Sequence, residues 1–274
     1  MITLIRVTVA LLAPLISLTA FSYGAEVSGN LSIKVVSPGA TGCGTASSQV
    51  PAGYTSKTAA SDEFGGTALD YSKWADLANP SLHPVSGGVL HMQYAPDGSN
   101  GGIIGTASNG SGNAPFYIET RVRWPAGQTA GNETNWLWSY TPRWDLCPGD
   151  CVEIDVDQRF CGNQDINIWD WHAGGNTWDG AGYTGPVGCL SSAPRIGDGN
   201  WHILGVQVLV DGTVIFTTDG TVVSSGRVSD MIIATPNTTG TGGYHWVIGG
   251  NQTQYNFTIE MQVDYVRTYC PGCN

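Results

Sequence analysis

Residues 153–158 read Glu-Ile-Asp-Val-Asp-Gln, and this hexapeptide constrains the fold more than any other stretch of the chain. Three carboxylates recur at every second position, with Ile154 and Val156 between them. On a β-strand, alternate side chains leave the same face. Extended backbone therefore sorts Glu153, Asp155 and Asp157 onto one face and Ile154 and Val156 onto the other, against a core. Only 12% of the 274 residues are charged, so three acids on one strand face are a concentration rather than background. Like charges on one face repel. Keeping them together points to acid/base or nucleophilic chemistry, or to a bound cation. The plainer alternative is an edge strand with a solvated acidic face.

The surroundings weigh against that alternative. Seven of the ten Trp residues lie between positions 124 and 178: Trp124, Trp136, Trp138, Trp144, Trp169, Trp171 and Trp178. Pyranose rings present apolar C–H faces that pack on indole, so carboxylates among exposed aromatics suit a sugar-binding cleft. Some of these Trp belong to a core, where large aromatics are highly buried on average.

The N-terminus has the pattern of a secretory signal peptide. Arg6 supplies a basic start, an apolar stretch runs from Val7 to Phe21, and Ser22, Gly24 and Ala25 offer a cleavage site. The apolar stretch is short for a membrane span, and a polar chain follows it. Removing residues 1–25 leaves about 250 residues, within the range of one large all-β domain. Secretion makes disulfides the expected state of most of the seven Cys, the odd count leaving one free or paired between molecules, and the connectivity does not follow from sequence. Cys147 with Cys151 and Cys161 with Cys189 are spaced to staple the loops before and after the acidic strand. Cys270-Pro-Gly-Cys273 reads as a terminal disulfide rather than a metal motif, because no second pair accompanies it. Six Asn-x-Ser/Thr sequons, at Asn30, Asn109, Asn132, Asn237, Asn251 and Asn256, fit a secreted glycoprotein. The formal charge is −11 with only three Lys. No basic patch exists to neutralise phosphates, so nucleic acid and anionic membranes are excluded as partners, and a neutral polysaccharide fits better.

Beyond Ser61 the chain is a succession of short alternating runs punctuated by Gly, Pro, Asn and Asp. They lie at Gly88–Tyr94, Phe116–Trp124, Asn135–Tyr140, Cys151–Asp157, Asp165–Trp171, Trp201–Val210, Thr213–Thr218, Gly243–Ile248 and Thr258–Tyr269. Asp211-Gly212 marks a hairpin between two of them. With 38 Gly and no helical period, the pattern is an all-β sandwich. Residues 26–60 form an N-terminal segment with a weak strand signal at Leu31–Val36, 61–269 one domain, and 270–274 a tail.

Several of these stretches resemble glycoside hydrolase family 16. They are Ser61-Asp62-Glu63-Phe64-Gly65-Gly66 with Leu69-Asp70 and Ser72-Lys73-Trp74; Gly88-Val89-Leu90-His91-Met92; Phe116 through Pro125; Glu153-Ile154-Asp155; Trp201-His202 and Asp219-Gly220; and Val263 through Tyr269. The resemblance implies a β-jelly roll of two curved antiparallel sheets with a concave substrate cleft. It also implies a secreted, extracellular or cell-wall glycosidase that cuts β-1,3- or mixed-linkage β-glucan with retention, as a monomer and without a cofactor. By position, Glu153 is the nucleophile and Asp155 its hydrogen-bonding partner. Trp136, Trp138, Trp169, Trp171 and His172 line the substrate site. The family places a Glu two or three residues after Asp155. Here the shorter register offers Asp157 and the longer one Gln158, an amide that cannot act as an acid. Retaining enzymes hold their carboxyls about 5–5.5 Å apart, whereas strand rise separates backbones 153 and 157 by about 13 Å, so a short Asp is at a disadvantage. The competing expectation is therefore a glucan-binding lectin that keeps the cleft without turnover. Asp62, Glu63 and Asp264 lie where some relatives hold calcium, but read as ordinary surface carboxylates. His202 reads as structural, and no His/Cys cluster has metal-ligand spacing.

Overall fold

The structure is a computed structural model, and it describes residues 49–94, 101–107, 114–126, 135–138, 151–157, 165–171, 188–189, 196–227, 244–249 and 259–273. The signal-peptide stretch, the strand signal at Leu31–Val36, all six sequons, Trp144, Gln158, His172 and Trp178 lie outside the described residues. So do Cys43, Cys147 and Cys161, and with them both loop staples.

Alternation builds the strands, and β6 (Phe116–Arg123) shows how. Phe116, Ile118 and Val122 enter the hydrophobic core, while Tyr117, Glu119, Arg121 and Arg123 take the other face. The same logic forms β11 (Trp201–Val208) and β12 (Thr213–Thr218), whose Leu204, Val206, Val208, Val214 and Phe216 are core residues. The Asp211-Gly212 signal becomes the turn between these two: Asp211 Oδ1 accepts the Thr213 N–H at 2.9 Å, and Gly212 sits at φ +82°. Asp219 and Gly220 both have positive φ, +49° and +79°. They close the tight turn to β13 (Thr221–Arg227), the geometry that suits the right-handed twist of a hairpin.

The described strands form two antiparallel sheets. The larger has eight strands, in the order β13-β12-β11-β6-β15-β4-β3, with β15 (Ile259–Pro271), β4 (Val89–Tyr94) and β3 (Val85–Ser86), and with β1 (Tyr54–Ser56) also on β15. The smaller has seven, in the order β10-β9-β8-β7-β14-β5-β2. Its members are β10 (Gly188–Cys189), β9 (Asp165–Trp171), β8 (Cys151–Asp157), β7 (Asn135–Trp138), β14 (His245–Gly249), β5 (Ile103–Thr106) and β2 (Trp74–Ala78). A single core cluster joins side chains of both, Leu90, Met92, Phe116, Ile118 and Met261 from one and Trp74, Ile104, Ile154, Ile166 and Trp246 from the other. Burying each such side chain contributes roughly 1.5–3 kcal/mol. This is the expected all-β jelly-roll sandwich.

The sheet begins earlier than the expected domain start at Ser61, because β1 pairs with the last strand through Tyr54↔Pro271 and Ser56↔Tyr269. At the other end β15 runs past Tyr269, and Cys270 and Cys273 are joined by the expected disulfide. Asp62 departs from the surface reading. It is nearly buried, accepting the Phe64 N–H at 2.9 Å and the Trp74 indole N–H at 2.8 Å. Glu63 and Asp264 are taken by Arg267 and Arg121 at 2.8 and 2.5 Å. Asp62 thus ties the opening segment to β2, Glu63 ties it to β15, and Asp264 ties β15 to β6.

Candidate functional site

Strand β8 is third of seven in its sheet, flanked by β7 and β9. Ile154 and Val156 are fully buried in the inter-sheet core, as alternation requires. Register then defines rows across the strands. Glu153 stands opposite Trp138 on β7 and Trp169 on β9, and Trp138 stands opposite His245 on β14. The next row runs Val247, Trp136, Asp155 and Asn167. Between them lies the row of Trp246, Leu137, Ile154 and Ile168, in which Trp246 and Ile154 are core residues. Positions 136, 138 and 169 thus neighbour the acids, and Trp171 lies opposite Cys151 at the start of the strand.

The acids are not solvated. Glu153 is 2% exposed, Asp155 1% and Asp157 0%. Burying carboxylates is costly without compensation. The flanking register positions carry Trp138, Trp169, Trp136 and Asn167, none of them cationic. This differs from a solvated edge face in both burial and position.

The expected alternation of three acids holds for Glu153 and Asp155 and breaks before Asp157. Trp136 pairs with Asp155 and the adjacent Asn135 pairs with Asp157, so β8 has one extra residue, Val156, against β7. Such a β-bulge re-aims the side chains that follow it, and a one-residue slip exchanges sheet faces. Relative to β7, Asp157 has the parity of Ile154 rather than that of Glu153 and Asp155. The expectation that all three acids share one face is therefore corrected: two share it, and Asp157 is separated from them by the bulge.

The remaining candidates have structural partners. His202 lies between Asp219, at 2.8 Å from Nδ1, and Asp198, at 3.1 Å from Nε2. Burial alone lowers its pKa, but these hydrogen bonds outweigh that and the net shift is upward. Trp124 is fully buried in the core. Among the described residues no group of three His, Cys, Asp or Glu is arranged to hold a metal. Sequence reasoning missed His245. A single His in His-Trp-Val-Ile-Gly gave little to go on, although Trp246 and Ile248 in the core already put His245 on the opposite parity.

No family model matches the sequence, and no curated protein matches it. Solved structures do. A β-porphyranase from the human gut bacterium Bacteroides plebeius superposes with a TM-score of 0.55 at 16% identity, covering 81% of this chain and 94% of that one. An endo-1,3-β-glucanase from Streptomyces sioyaensis gives 0.55 at 17%, covering 81% and 98%. A laminarinase from Flavobacterium sp. UMI-01 gives 0.54 at 18%, covering 77% and 98%. At such identities the likeness speaks for architecture. The two-sheet sandwich of this chain is the glycoside hydrolase family 16 fold.

Proposed function

We propose that the chain is a secreted glycosidase whose cleft, on the seven-stranded sheet, takes a neutral β-1,3- or mixed-linkage β-glucan. The observation that carries this is the pairing of Glu153 and Asp155 on one face of β8, nearly buried and with aromatic positions on either side. The same fold serves a porphyranase as well as a laminarinase, so fold alone does not select the glycan. The net charge of −11 favours a neutral one.

In this reading the Glu153 carboxylate attacks the anomeric carbon. The glycosidic bond breaks as a glycosyl-enzyme forms, and the leaving oxygen takes a proton from an acid. Water then hydrolyses the intermediate, giving its proton back to that acid and leaving retained configuration. Asp155 hydrogen-bonds to Glu153 and orients it. Asp157, the nearest further carboxyl along β8, is our candidate acid; the bulge sets it off the Glu153 face, so it delivers its proton poorly and turnover is weak, with Trp136, Trp138, Trp169, Trp171 and His172 contacting sugar. The N-terminal apolar segment supports secretion.

The bulge favours a second reading, a glucan-binding protein without turnover. With Asp157 set off that face, the other candidate of the sequence is Gln158, which cannot supply a proton. Laminarin and barley mixed-linkage glucan separate the two. The hydrolase reading expects reducing ends from the wild type, first formed as the β-anomer by NMR, and none from Glu153→Gln. Absence of reducing ends together with a laminarin-induced change in Trp fluorescence establishes the binding reading. Neither turnover nor binding rejects both.

A further inference from the structure

We propose that a surface pocket on the eight-stranded sheet binds a neutral saccharide, a second stretch of the glucan that the cleft takes; the identity of that sugar rests on the glycan-cleft reading above. Three observations carry it. First, register assembles the pocket. Gln262 on β15 stands opposite His91 on β4 and Arg123 on β6, and Arg123 stands opposite Trp201 on β11. Leu90, Met92, Val122, Met261 and Val263 are in the inter-sheet core, so His91, Arg123, Glu260 and Gln262 have the opposite parity and lie on the outer face. Here lies a pocket of about 290 Å³, lined by Arg123, Glu260 and Gln262 and by Pro125, Ala126 and Gly199. That is close to the lower end of small-molecule sites, roughly 300–1,000 Å³. Gly199, at φ +90°, puts no side chain into it.

Second, the polar groups are partly exposed and already held in place. Arg123 donates from Nε to Gln262 Oε1 at 2.8 Å and from one terminal nitrogen to the same oxygen, and its guanidinium lies 4.9 Å from the Trp201 ring centroid. Its other terminal nitrogen has no partner among the described residues. Gln262 Nε2 donates to Glu260 Oε1 at 3.0 Å, and Glu260 is also bound by His91 at 2.8 Å and Gln93 at 3.4 Å. Groups fixed before a ligand arrives lower the ordering cost of binding it.

Third, the mixture of groups selects the ligand. Arg123 only donates, the Glu260 carboxylate only accepts, and Gln262 between them does both. An anion drawn to Arg123 meets the Glu260 charge, and a cation drawn to Glu260 meets Arg123. Neutral hydroxyls, which donate and accept, satisfy the donor and the acceptor together. Pro125 and Ala126 supply apolar surface for the C–H face of the ring. Because β6, β11 and β15 belong to the sheet opposite β8, this pocket is separate from the face that carries Glu153.

Calorimetric titration of Glu153→Gln with a β-1,3-linked glucose hexasaccharide tests this without turnover. Two classes of site are expected. Adding Arg123→Met, which keeps the aliphatic stem, should raise the Kd of one class about tenfold or more, the size of a hydrogen bond from a charged donor, and leave the other class unchanged. Ala126→Phe fills the pocket from an exposed position outside the hydrogen-bond network, so it should weaken the same class with an unchanged melting midpoint; it decides the matter if Arg123→Met does not fold. A single class of site that neither substitution alters overturns the proposal and leaves the cleft reading standing. So does a class that acetate displaces, which would mark an anion site. If the hexasaccharide does not bind at all, the cleft reading fails and takes this inference with it.

Discussion

The two sheets set their carboxylates in different surroundings. On the outer face of the eight-stranded sheet every prominent ionic group has a partner. Arg121 meets Asp264 at 2.5 Å, and Arg267 grips Glu63 through two bonds of 2.8 Å. Arg123 donates to Gln262, whose amide donates to Glu260, which also binds His91 Nδ1 at 2.8 Å. Arg121 and Arg123 lie 5.0 and 4.9 Å from the Trp201 ring centroid. Glu119, fully buried, receives the hydroxyls of Tyr117, Tyr265 and Tyr269 at 3.3, 3.3 and 3.4 Å. Burial and then the Glu119 charge push all three phenols up, Tyr269 to about 12. On the seven-stranded sheet, Glu153 and Asp155 are buried side by side with aromatic and amide neighbours in register. The carboxylate of Glu119, at the centre of three tyrosine hydroxyls, is explained by stability. Two buried carboxylates on one strand face, flanked in register by aromatic residues, are better explained by chemistry.

The largest expected effect probes the seven-stranded sheet. Gln158→Glu supplies a carboxyl at the acid position of the longer register. Turnover of laminarin should rise about 10²-fold or more over wild type, within the range of general acid/base assistance. Asp157→Glu, by contrast, adds a methylene at a fully buried position and should lower stability rather than raise activity. The reverse pattern, with Asp157→Glu activating and Gln158→Glu inert, would show that Asp157 reaches the site despite the bulge.

Next is the eight-stranded sheet. Glu119→Ala leaves three phenol hydroxyls without their common acceptor. It should cost about 3 kcal/mol and lower the melting midpoint by about 6–12 °C, with laminarin binding intact at the remaining folded temperatures. A change under 1 kcal/mol would mean that the tyrosine cluster is not a stabilising centre, and the contrast between the sheets would lose one side. Breaking the exposed Glu63–Arg267 pair should cost far less, in keeping with surface ion pairs.

The smallest effect is a pH dependence. Burial raises Asp198, but hydrogen bonds from Asn200 and then His202 together outweigh this and hold it at about 2, below its ordinary 3.8. Its contribution is present above 3.8 and lost as pH falls towards 2. His202 is shifted up from 6.5, so its contribution is full below 6.5 and lost as pH rises through the folded value. The stability gap between wild type and His202→Gln should therefore be widest between about pH 4 and 6.5. Urea melts at pH 3, 5.5 and 8 measure it, and a gap independent of pH would contradict the pairing.

What could be read from the residues followed from how local the signal was. Cys151–Asp157 and Asp165–Trp171 are legible to the residue because strict alternation and flanking turn residues act within the segment. Strand β5 was missed because Ile-Ile-Gly-Thr is buried throughout and does not alternate. Strand β13 was missed because Thr-Val-Val-Ser-Ser-Gly-Arg is a largely exposed edge whose partner supplies its pattern. The bulge was an open alternative in the sequence, since an extra residue in β8 is defined only by pairing with β7. His245 is the same kind of omission: its row exists only once β14, β7 and β8 are in register. Burial of Asp62 depends on a bond to Trp74, twelve residues away, and no local pattern announces it.

The central claim is that the face carrying Glu153 and Asp155 is a glycan site. Its most direct test is a crystal structure of Glu153→Gln soaked with a laminarin oligosaccharide. The account predicts a sugar across the seven-stranded sheet, its anomeric carbon about 3–3.5 Å from the residue 153 side chain. An oligosaccharide bound only on the eight-stranded sheet, or an empty seven-stranded face at saturating laminarin oligosaccharide, would contradict it.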